Sequence, residues 1–335
     1  MSMRSSIRQR ATPERVGRGL KELDVIRRLA RSVPGSGRGL RLGIGDDAAV
    51  FTSRAGEDLV VALDTLVAGT HFDRRLPAEA VGHRALAVNL SDLAAMGAEP
   101  RWCLLSLSID QPAEAWLDGF AAGLSALAAE YGVALIGGDT VRGPLSVSIT
   151  AIGALPEASA ITRSGAQAGD EIFVTGALGA AGHAWRELAT GAACDHSLPG
   201  YDALARPQPR VPVGRALRGL ATAAIDLSDG LRIDSERLLD ASGVAAQIDV
   251  ARLPLADVIV DACSESRAIE LALDGGDDYE LLFTVPAAAA GLVEELSRSW
   301  PCAATRIGVC GAGRGVRWLQ QGLEFSPPRR EYRHF

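Results

Sequence analysis

The sequence contains almost no lysine. Its 335 residues include a single lysine, Lys21, and every other basic residue is arginine. A P-loop site requires the lysine of its GK[ST] motif, and Schiff-base enzymes and protein-kinase-type enzymes require a catalytic lysine. The sequence therefore excludes these classes, and any bound phosphate must contact arginine, backbone N–H groups or a metal ion.

Long apolar runs and paired cysteines are also missing. No segment reaches the roughly 18 uncharged apolar residues of a membrane helix, and no signal-peptide core follows Met1. The five cysteines show no CxxC spacing and no adjacent histidine cluster, which favours reduced thiols. A net charge of -7 disfavours nucleic-acid binding, which depends on a positive surface. We therefore expect a cytoplasmic protein that neither spans a membrane nor binds nucleic acid.

The composition is that of a globular protein, with 47% hydrophobic and 22% charged residues, and the length favours two domains. Residues 1–20 are rich in arginine and serine and predict a disordered extension, although a transit peptide shares this bias. A polar stretch at Pro156–Asp170 is typical of a domain boundary. We expect an N-terminal domain at 21–155, a C-terminal α/β domain at 156–320 and a tail at 321–335.

Apolar periodicity predicts strands and helices in alternation, an α/β (α+β) pattern. In the first half it predicts helices at Glu22–Ser32, Ala78–Met96 and Ala113–Tyr131, and strands at Leu40–Ile44, Leu59–Leu63, Trp102–Ile109, Ala134–Ile136 and Leu145–Ile152. In the second half it predicts strands at Glu171–Thr175, Ala223–Ile225 and Tyr279–Val285, and helices at Leu231–Ala241 and Ala287–Ser297.

Aspartates next to glycines recur at the ends of predicted strands. They are Asp46, Asp47, Asp64, Asp139, Asp226, Asp229, Asp277 and Asp278. Each alone is explained better as a turn or cap residue than as a functional one. Together, carboxylates that end several strands of one sheet would converge at one edge and repel each other unless cations lie between them. Magnesium fits such a site because it takes oxygen ligands and is shared with substrate phosphates, whereas zinc would favour histidine or cysteine.

The helix AVNLSDLAAMG adds another carboxylate. Leu86, Leu90 and Leu93 form an apolar stripe, while Asn89 and Asp92 share another face, which places Asp92 opposite the core. The segment Asn89–Asp92 is also echoed by Asp226-Leu-Ser-Asp229, without any fixed repeat period.

Two basic residues are candidate phosphate ligands. His71 follows the strand that bears Asp64, and Arg163 lies in the loop TRSG, where an arginine can bind phosphate bidentately. A structural histidine and a solvated arginine are the competing interpretations.

Seven sequence blocks, taken in order, resemble the thiamine-monophosphate kinase family: GIGDDAAV, LDTLVAGTHF, ALAVNLSDLAAMGAEP, LIGGDT, TRSGAQAGD, AIDLSDGL and GGDDYELLFTV. The resemblance spans roughly Glu22 to Ile307. It implies two α/β domains of the aminoimidazole-ribotide synthetase-like architecture, the first with a mixed sheet, and a homodimer built through the N-terminal sheets. It also implies magnesium-dependent phosphorylation of thiamine monophosphate by ATP, the last step of thiamine diphosphate synthesis.

The resemblance further implies roles for individual residues. Ligands of several magnesium ions fall on Asp47, Asp64, Asp92, Asp139, Asp226 and Asp229. Contacts to ATP fall on Gly138, Asp139, Arg163 and Ser228, and contacts to thiamine monophosphate fall on His71 and Asp277. The acceptor phosphate has a second pKa of about 6, so it needs no strong general base, and we expect direct in-line transfer without a phosphoenzyme.

Three departures from the family pattern stand out. Ala62 and Leu63 occupy positions where the family often has hydroxyl side chains, and Asp277 replaces a glutamate. The substrate-stacking aromatic expected near the C-terminus is replaced by Arg329, with Phe325 or Tyr332 as candidate substitutes.

Three alternatives remain open at this point. Another ATP-dependent enzyme of the same superfamily would phosphorylate a different acceptor. A metal-dependent phosphohydrolase would release phosphate without an acceptor. A non-catalytic nucleotide-binding module would bind ATP and magnesium without turnover.

Overall fold

The computed structural model describes residues 22–33, 35, 39–42 and 49–327. The predicted extension at 1–20, Asp46, Asp47, Arg329 and Tyr332 lie outside the described residues.

Helices and strands alternate along the described chain. The α-helices are α1 (Glu22–Ser32), α2 (Ala78–Ala95), α3 (Glu114–Tyr131), α4 (Ala180–Ala189), α5 (Tyr201–Ala205), α6 (Val211–Ala216), α7 (Leu231–Ser242), α8 (Asp257–Val260), α9 (Glu265–Asp274) and α10 (Ala290–Ser297). The strands are β1 (Leu40–Leu42), β2 (Val50–Phe51), β3 (Glu57–Val67), β4 (Glu99–Ser108), β5 (Ala134–Val141), β6 (Ser146–Pro156), β7 (Glu171–Thr175), β8 (Ala223–Asp226), β9 (Ala245–Asp249), β10 (Leu281–Val285), β11 (Ala304–Gly311), β12 (Gly315–Gln320) and β13 (Leu323–Glu324). Short 3₁₀ turns lie at Val250–Arg252 and Ala287–Ala289.

Each half of the chain is built on one mixed sheet. The first half forms a four-stranded sheet in the order β3-β6-β4-β5, in which only β4 and β5 are parallel. The second half forms a seven-stranded sheet in the order β13-β12-β9-β11-β7-β10-β8, in which β12 and β9 are parallel. A two-stranded ribbon of β1 and β2 accompanies them. The fold is therefore α/β with mixed sheets, as the sequence predicts.

Helix α2 lies at the junction of the two halves. It packs against β3, β6 and α3 of the first half and against β8 and α6 of the second. Its residues from Ala80 to Ala95 are buried with the single exception of Asp92. The two-faced helix inferred from sequence is therefore wrong for Asn89, which is fully buried, because its side chain is bonded to the backbone of β3 in the first sheet.

The seven-stranded sheet is covered on both faces. Phe173 and Phe283 belong to the main core, which is continuous with α2, whereas their strand neighbours Ile172 and Leu282 belong to a second core on the other face. Every residue of β7 and β10 is buried because both faces of these strands are covered, and their sequences are therefore nearly unbroken apolar runs.

Most predicted elements are present with boundaries shifted by a few residues. One strand and one helix begin differently from the prediction. The strand expected at Tyr279–Val285 begins at Leu281, because Asp277 and Tyr279 adopt left-handed backbone conformations, with φ of 63° and 49°. The helix expected at Ala287–Ser297 begins with a 3₁₀ turn and becomes α-helical at Ala290. None of the helices within the described ranges combines the length and the apolarity needed to cross a membrane.

Candidate active site

A cavity of about 520 Å³ lies between the two halves of the chain. Its lining residues are Asp64, Thr65, Leu66, Thr70, His71, Arg84, Asp92, Arg163, Gly182, Trp185, Arg186, Asp226, Ser228, Asp229, Asp274, Gly275, Gly276, Asp277 and Tyr279. Eight of the residues predicted from sequence are among them: Asp64, Asp92, Asp226, Asp229, Arg163, Ser228, His71 and Asp277.

Asp64 and Asp92 are brought together by a buried amide. Asp64 sits within β3, on the face that packs against α2, and its backbone N–H donates to Oδ1 of Asn89 at 3.0 Å. Nδ2 of Asn89 donates in turn to the carbonyl of Ala85 at 3.0 Å. Because Asn89 precedes Asp92 by one helical turn, this contact aligns the strand that bears Asp64 with the helix that bears Asp92.

Asp226 ends strand β8 and faces the same cavity from the second half. Oγ of Ser91 donates to its Oδ2 at 2.7 Å. The two echoing segments, Asn89–Asp92 and Asp226–Asp229, therefore meet across the junction, each supplying carboxylates to one wall. Ser228, between the two aspartates of the second segment, also lines the cavity.

Asp229 is held by the helix that follows it. Its backbone N–H donates to Oδ2 of Asp234 at 3.0 Å, and its carboxylate accepts from Arg237, which also pairs with Asp234 at 2.8 Å. Burial raises the pKa of Asp234 to about 6. The loop after β8 is thus fixed by side chains that sequence reasoning did not identify.

Burial and mutual repulsion destabilise the charged forms of the cavity carboxylates. Burial raises the pKa of Asp92, and the neighbouring Asp226 and Asp64 raise it further. Burial likewise raises the pKa of Asp226 and of Asp64. A bound cation would stabilise the charged carboxylates and so offset the free-energy cost of burying them.

His71 lies in the turn that follows β3. Its Nδ1 accepts from the backbone N–H of Val67 at 3.0 Å, which fixes the orientation of the ring. Arg75, a few residues on, donates to the carbonyls of Leu188 and Ala192, both at 2.9 Å. The turn is therefore anchored across the cavity to the end of α4 and the residues that follow it.

Asp277 forms part of a compact ionic cluster on the opposite wall. Its Oδ1 lies 2.5 Å from Nη2 of Arg84 and accepts from the Tyr279 hydroxyl at 3.0 Å. Arg84 projects from α2, and its guanidinium lies 5.6 Å from the centroid of the Tyr279 ring. The backbone of this loop is tied to the loop after β8, since Asp277 N–H donates to the Ser228 carbonyl at 2.8 Å.

Two predicted residues are not brought to this cavity. Gly138 and Asp139 lie on β5, at the far edge of the four-stranded sheet, where Asp139 pairs with Ser106. Strand register places Asp139 on the exposed face of the sheet, opposite to the face that packs on α2. The expected convergence at one edge is therefore wrong for Asp139, because its strand presents it to the other side.

The remaining residues singled out from the sequence do not line the cavity or lie outside the described residues. Phe325 packs against the second core and does not line the cavity. Ala62 points toward the main core, whereas Leu63 lies on the exposed sheet face. Asp47 and Tyr332 lie outside the described residues.

Sequence reasoning missed several cavity residues, including Arg84, Trp185, Arg186 and Asp274. The NLSD/DLSD echo was a signal for the contact of Ser91 with Asp226. Arg84, by contrast, is one arginine among many, and its role depends on a partner 193 residues away.

The carboxylates line the cavity without forming a closed cage. Within residues 22–33, 35, 39–42 and 49–327, no three histidine, cysteine, aspartate or glutamate side chains are grouped closely enough to hold one metal ion. The donor set still suits magnesium, which keeps several waters and binds through one or two carboxylates together with substrate phosphates. The residues present therefore fit magnesium–phosphate complexes better than a bare, protein-enclosed ion.

Two family models match the chain in tandem. The N-terminal domain of AIR synthase related proteins matches residues 45–155, and the C-terminal domain of the same proteins matches residues 167–318. With its two mixed sheets and the cavity between them, the chain is therefore a member of the AIR synthase related class.

Comparison with individual relatives identifies one family within this class. Thiamine-monophosphate kinase of Escherichia coli (strain K12) is 40% identical over 321 residues, which cover 94% of this chain and 98% of the relative. The crystal structure of thiamine-monophosphate kinase from Stenotrophomonas maltophilia K279a is 44% identical, with a TM-score of 0.80 over 86% of this chain and 92% of that one. The complex of AaThiL with AMPPCP and TMP is 30% identical, with a TM-score of 0.72 over 85% of this chain and 89% of that one. The chain belongs to the thiamine-monophosphate kinase family.

Proposed function

We propose that the protein transfers the γ-phosphoryl group of ATP to thiamine monophosphate, giving thiamine diphosphate and ADP. The observation that carries the proposal is the interdomain cavity, which combines four aspartates at Asp64, Asp92, Asp226 and Asp229 with His71, Arg163 and Asp277. Membership of the family and the ATP analogue in a related complex support the same assignment.

Magnesium is the proposed metal. Asp64, Asp92, Asp226 and Asp229 would hold it, with Asp47 as a further ligand predicted from sequence. The bound metal would neutralise charge between two phosphates that repel each other. Burial and neighbouring carboxylates raise the pKa of Asp64 and Asp92, so a bound cation would stabilise their charged forms.

The chain's own contribution to the reaction is alignment. Arg163 and His71, on different elements, would orient the phosphates of the two substrates, and Ser228 would contact ATP from the loop after β8. The acceptor phosphate is already largely ionised at neutral pH, so a strong base is unnecessary. Direct in-line transfer follows, since bringing the two phosphates together is the main task.

We also propose a homodimer built on the exposed face of the four-stranded sheet. Val61 and Leu63 are 61% and 63% exposed there, and Leu59 on the same strand extends this apolar patch. Contiguous apolar surface of this kind is typical of an interface. Asp139 lies on this face, so pairing would turn it toward the second copy, where its proposed ATP and metal contacts would be made. Light scattering on Leu63→Asp should show a monomer if this face forms the dimer.

The protein is further proposed to act in the cytoplasm. All five cysteines are free thiols in the structure, which is typical of a reducing compartment.

The decisive experiment incubates the protein with ATP, magnesium and thiamine monophosphate and follows ADP and thiamine diphosphate by chromatography. Equal amounts of both products, dependent on magnesium and on the monophosphate, are expected. ADP without thiamine diphosphate would indicate a hydrolase or another acceptor, and ATP binding without turnover would indicate a non-catalytic module.

A further inference from the structure

The interdomain cavity is lined by two chemically different sets of side chains. The aspartates, His71, Arg163 and Ser228 are suited to phosphates and cations. The aromatic side chains Trp185 and Tyr279 are suited to an organic ring. A substrate with one phosphate and one organic ring system could contact both sets at once.

The ring system of such a substrate requires a flat apolar surface. Thiamine carries a pyrimidine and a thiazolium ring, and the thiazolium bears a permanent positive charge. A cationic ring binds best over the face of an indole, which has the strongest cation–π attraction of the natural side chains. A side chain of this kind is therefore expected where the rings of the substrate lie.

Two large aromatic side chains line the cavity within the described residues, Trp185 and Tyr279. Tyr279 is buried, its hydroxyl is bonded to Asp277, and Arg84 lies over its ring. The Tyr279 ring is therefore already paired with the Arg84 guanidinium. Trp185 is only partly buried and rests with one side against the main core.

The position of Trp185 is fixed by contacts at both ends of α4. At the start of the helix, the backbone N–H of Gly179 donates to Oδ1 of the partly buried Asp278 at 2.8 Å. Near its end, Arg75 donates to the carbonyl of Leu188 at 2.9 Å. Gly182 permits a close approach to the opposite loop, because a Cβ there would lie 2.5 Å from the Cα of Gly275. Helix α4, which bears the indole, is thus held against the loop at Gly275, and this pre-positioning reduces the entropy lost on binding.

We propose that the indole of Trp185 is the stacking surface for the ring system of thiamine monophosphate. This inference rests on the proposed function and assigns to α4 the aromatic role for which Phe325 and Tyr332 were the candidates from sequence. Trp185 is a binding residue, so its contribution belongs to substrate affinity and not to the phosphoryl-transfer step.

The test measures thiamine monophosphate binding without ATP, by the change in tryptophan fluorescence and by calorimetry. The protein contains five tryptophans. Trp185→Phe should abolish the fluorescence change while keeping most of the affinity, and Trp185→Leu should weaken binding about tenfold. Trp116→Phe is the matched control, because Trp116 stacks on Phe120 at a centroid distance of 5.3 Å and does not line the cavity. It should retain the wild-type fluorescence change.

Steady-state kinetics provide the second readout. Trp185→Leu should raise KM for thiamine monophosphate about tenfold, with kcat within about twofold and KM for ATP unchanged. Thermal unfolding of both Trp185 variants checks that they are folded. Unchanged affinity in Trp185→Leu, or a full fluorescence change in Trp185→Phe, would overturn the inference while leaving the kinase assignment intact. If the wild-type protein neither binds nor converts thiamine monophosphate, the proposed function fails and the stacking role fails with it.

Discussion

Replacing Arg84 by methionine should destabilise the protein strongly. The Arg84 side chain is 1% exposed and that of Asp277 is 26% exposed, and the pair joins α2 to the loop before β10. Arg84 also donates to the carbonyl of Leu204 at 2.8 Å. Methionine keeps much of the volume but leaves the Asp277 carboxylate without its cation and the Leu204 carbonyl without its Arg84 donor.

The expected loss in the free energy of unfolding is about 3 to 5 kcal/mol, the range for removing one partner of a buried ion pair. The measurement is urea denaturation followed by far-UV circular dichroism, with slopes compared between variants to confirm that the same surface unfolds. Arg142→Met is the matched control, because Arg142 pairs with Asp110 at 2.8 Å on the exposed surface. Such a pair contributes no more than about 1 kcal/mol.

A double variant separates the pair from the rest of the Arg84 contacts. Arg84→Met combined with Asp277→Asn removes the uncompensated charge, so it should be less destabilised than the sum of the two single changes. The reasoning is refuted if Arg84→Met loses no more stability than Arg142→Met, or if the double variant shows strict additivity.

Three further predictions concern the cavity and its supports. Asp226→Asn should abolish turnover, by at least about a thousandfold, with an unchanged circular dichroism spectrum, whereas full activity would remove Asp226 from the metal site. Asn89→Ala should cost about 1 to 3 kcal/mol by leaving the Asp64 N–H unpaired and should also lower kcat; urea denaturation and kinetics test this, and a wild-type kcat would contradict the positioning role. Burial lowers the pKa of His83, whose Nε2 lies 2.9 Å from the Pro207 carbonyl. The folded state therefore favours neutral imidazole, so stability from this group is complete above the unfolded pKa of about 6.5 and is lost as the pH falls. His83→Gln should show a smaller drop in melting temperature between pH 7.5 and 5.5 than wild type, and an equal drop would exclude this linkage.

Local patterns in the sequence predict much of the fold. The bounds of α1 and β7 agree with the structure, and α7 differs by one residue, because each has clear periodicity or a clear apolar run. Sequence reasoning missed β9, β11 and α9, which lie in a stretch where short alternating segments are interrupted by glycines and turns. Their identity depends on pairing with distant strands, which no local window contains.

Most residues of the candidate site were predicted from the sequence, but the way in which the fold brings them together was not. Asp226 ends its strand and meets the cavity as expected, but Asp64 lies within β3 and reaches the cavity because its face packs on α2. Asp139 has an equivalent local sequence and points the other way. The direction of a side chain on a strand follows from which face a helix covers, and that information is tertiary.

Helix α2 has a consequence for how the two halves can be separated. Its buried surface is shared between both sheets, and the main core runs from Leu86 through to Phe283 without interruption. We therefore expect the two halves to unfold together as one cooperative unit. An isolated N-terminal fragment would expose an uncovered apolar helix face and should aggregate, so evolutionary duplication or exchange of either module would have to carry a matching version of this helix surface.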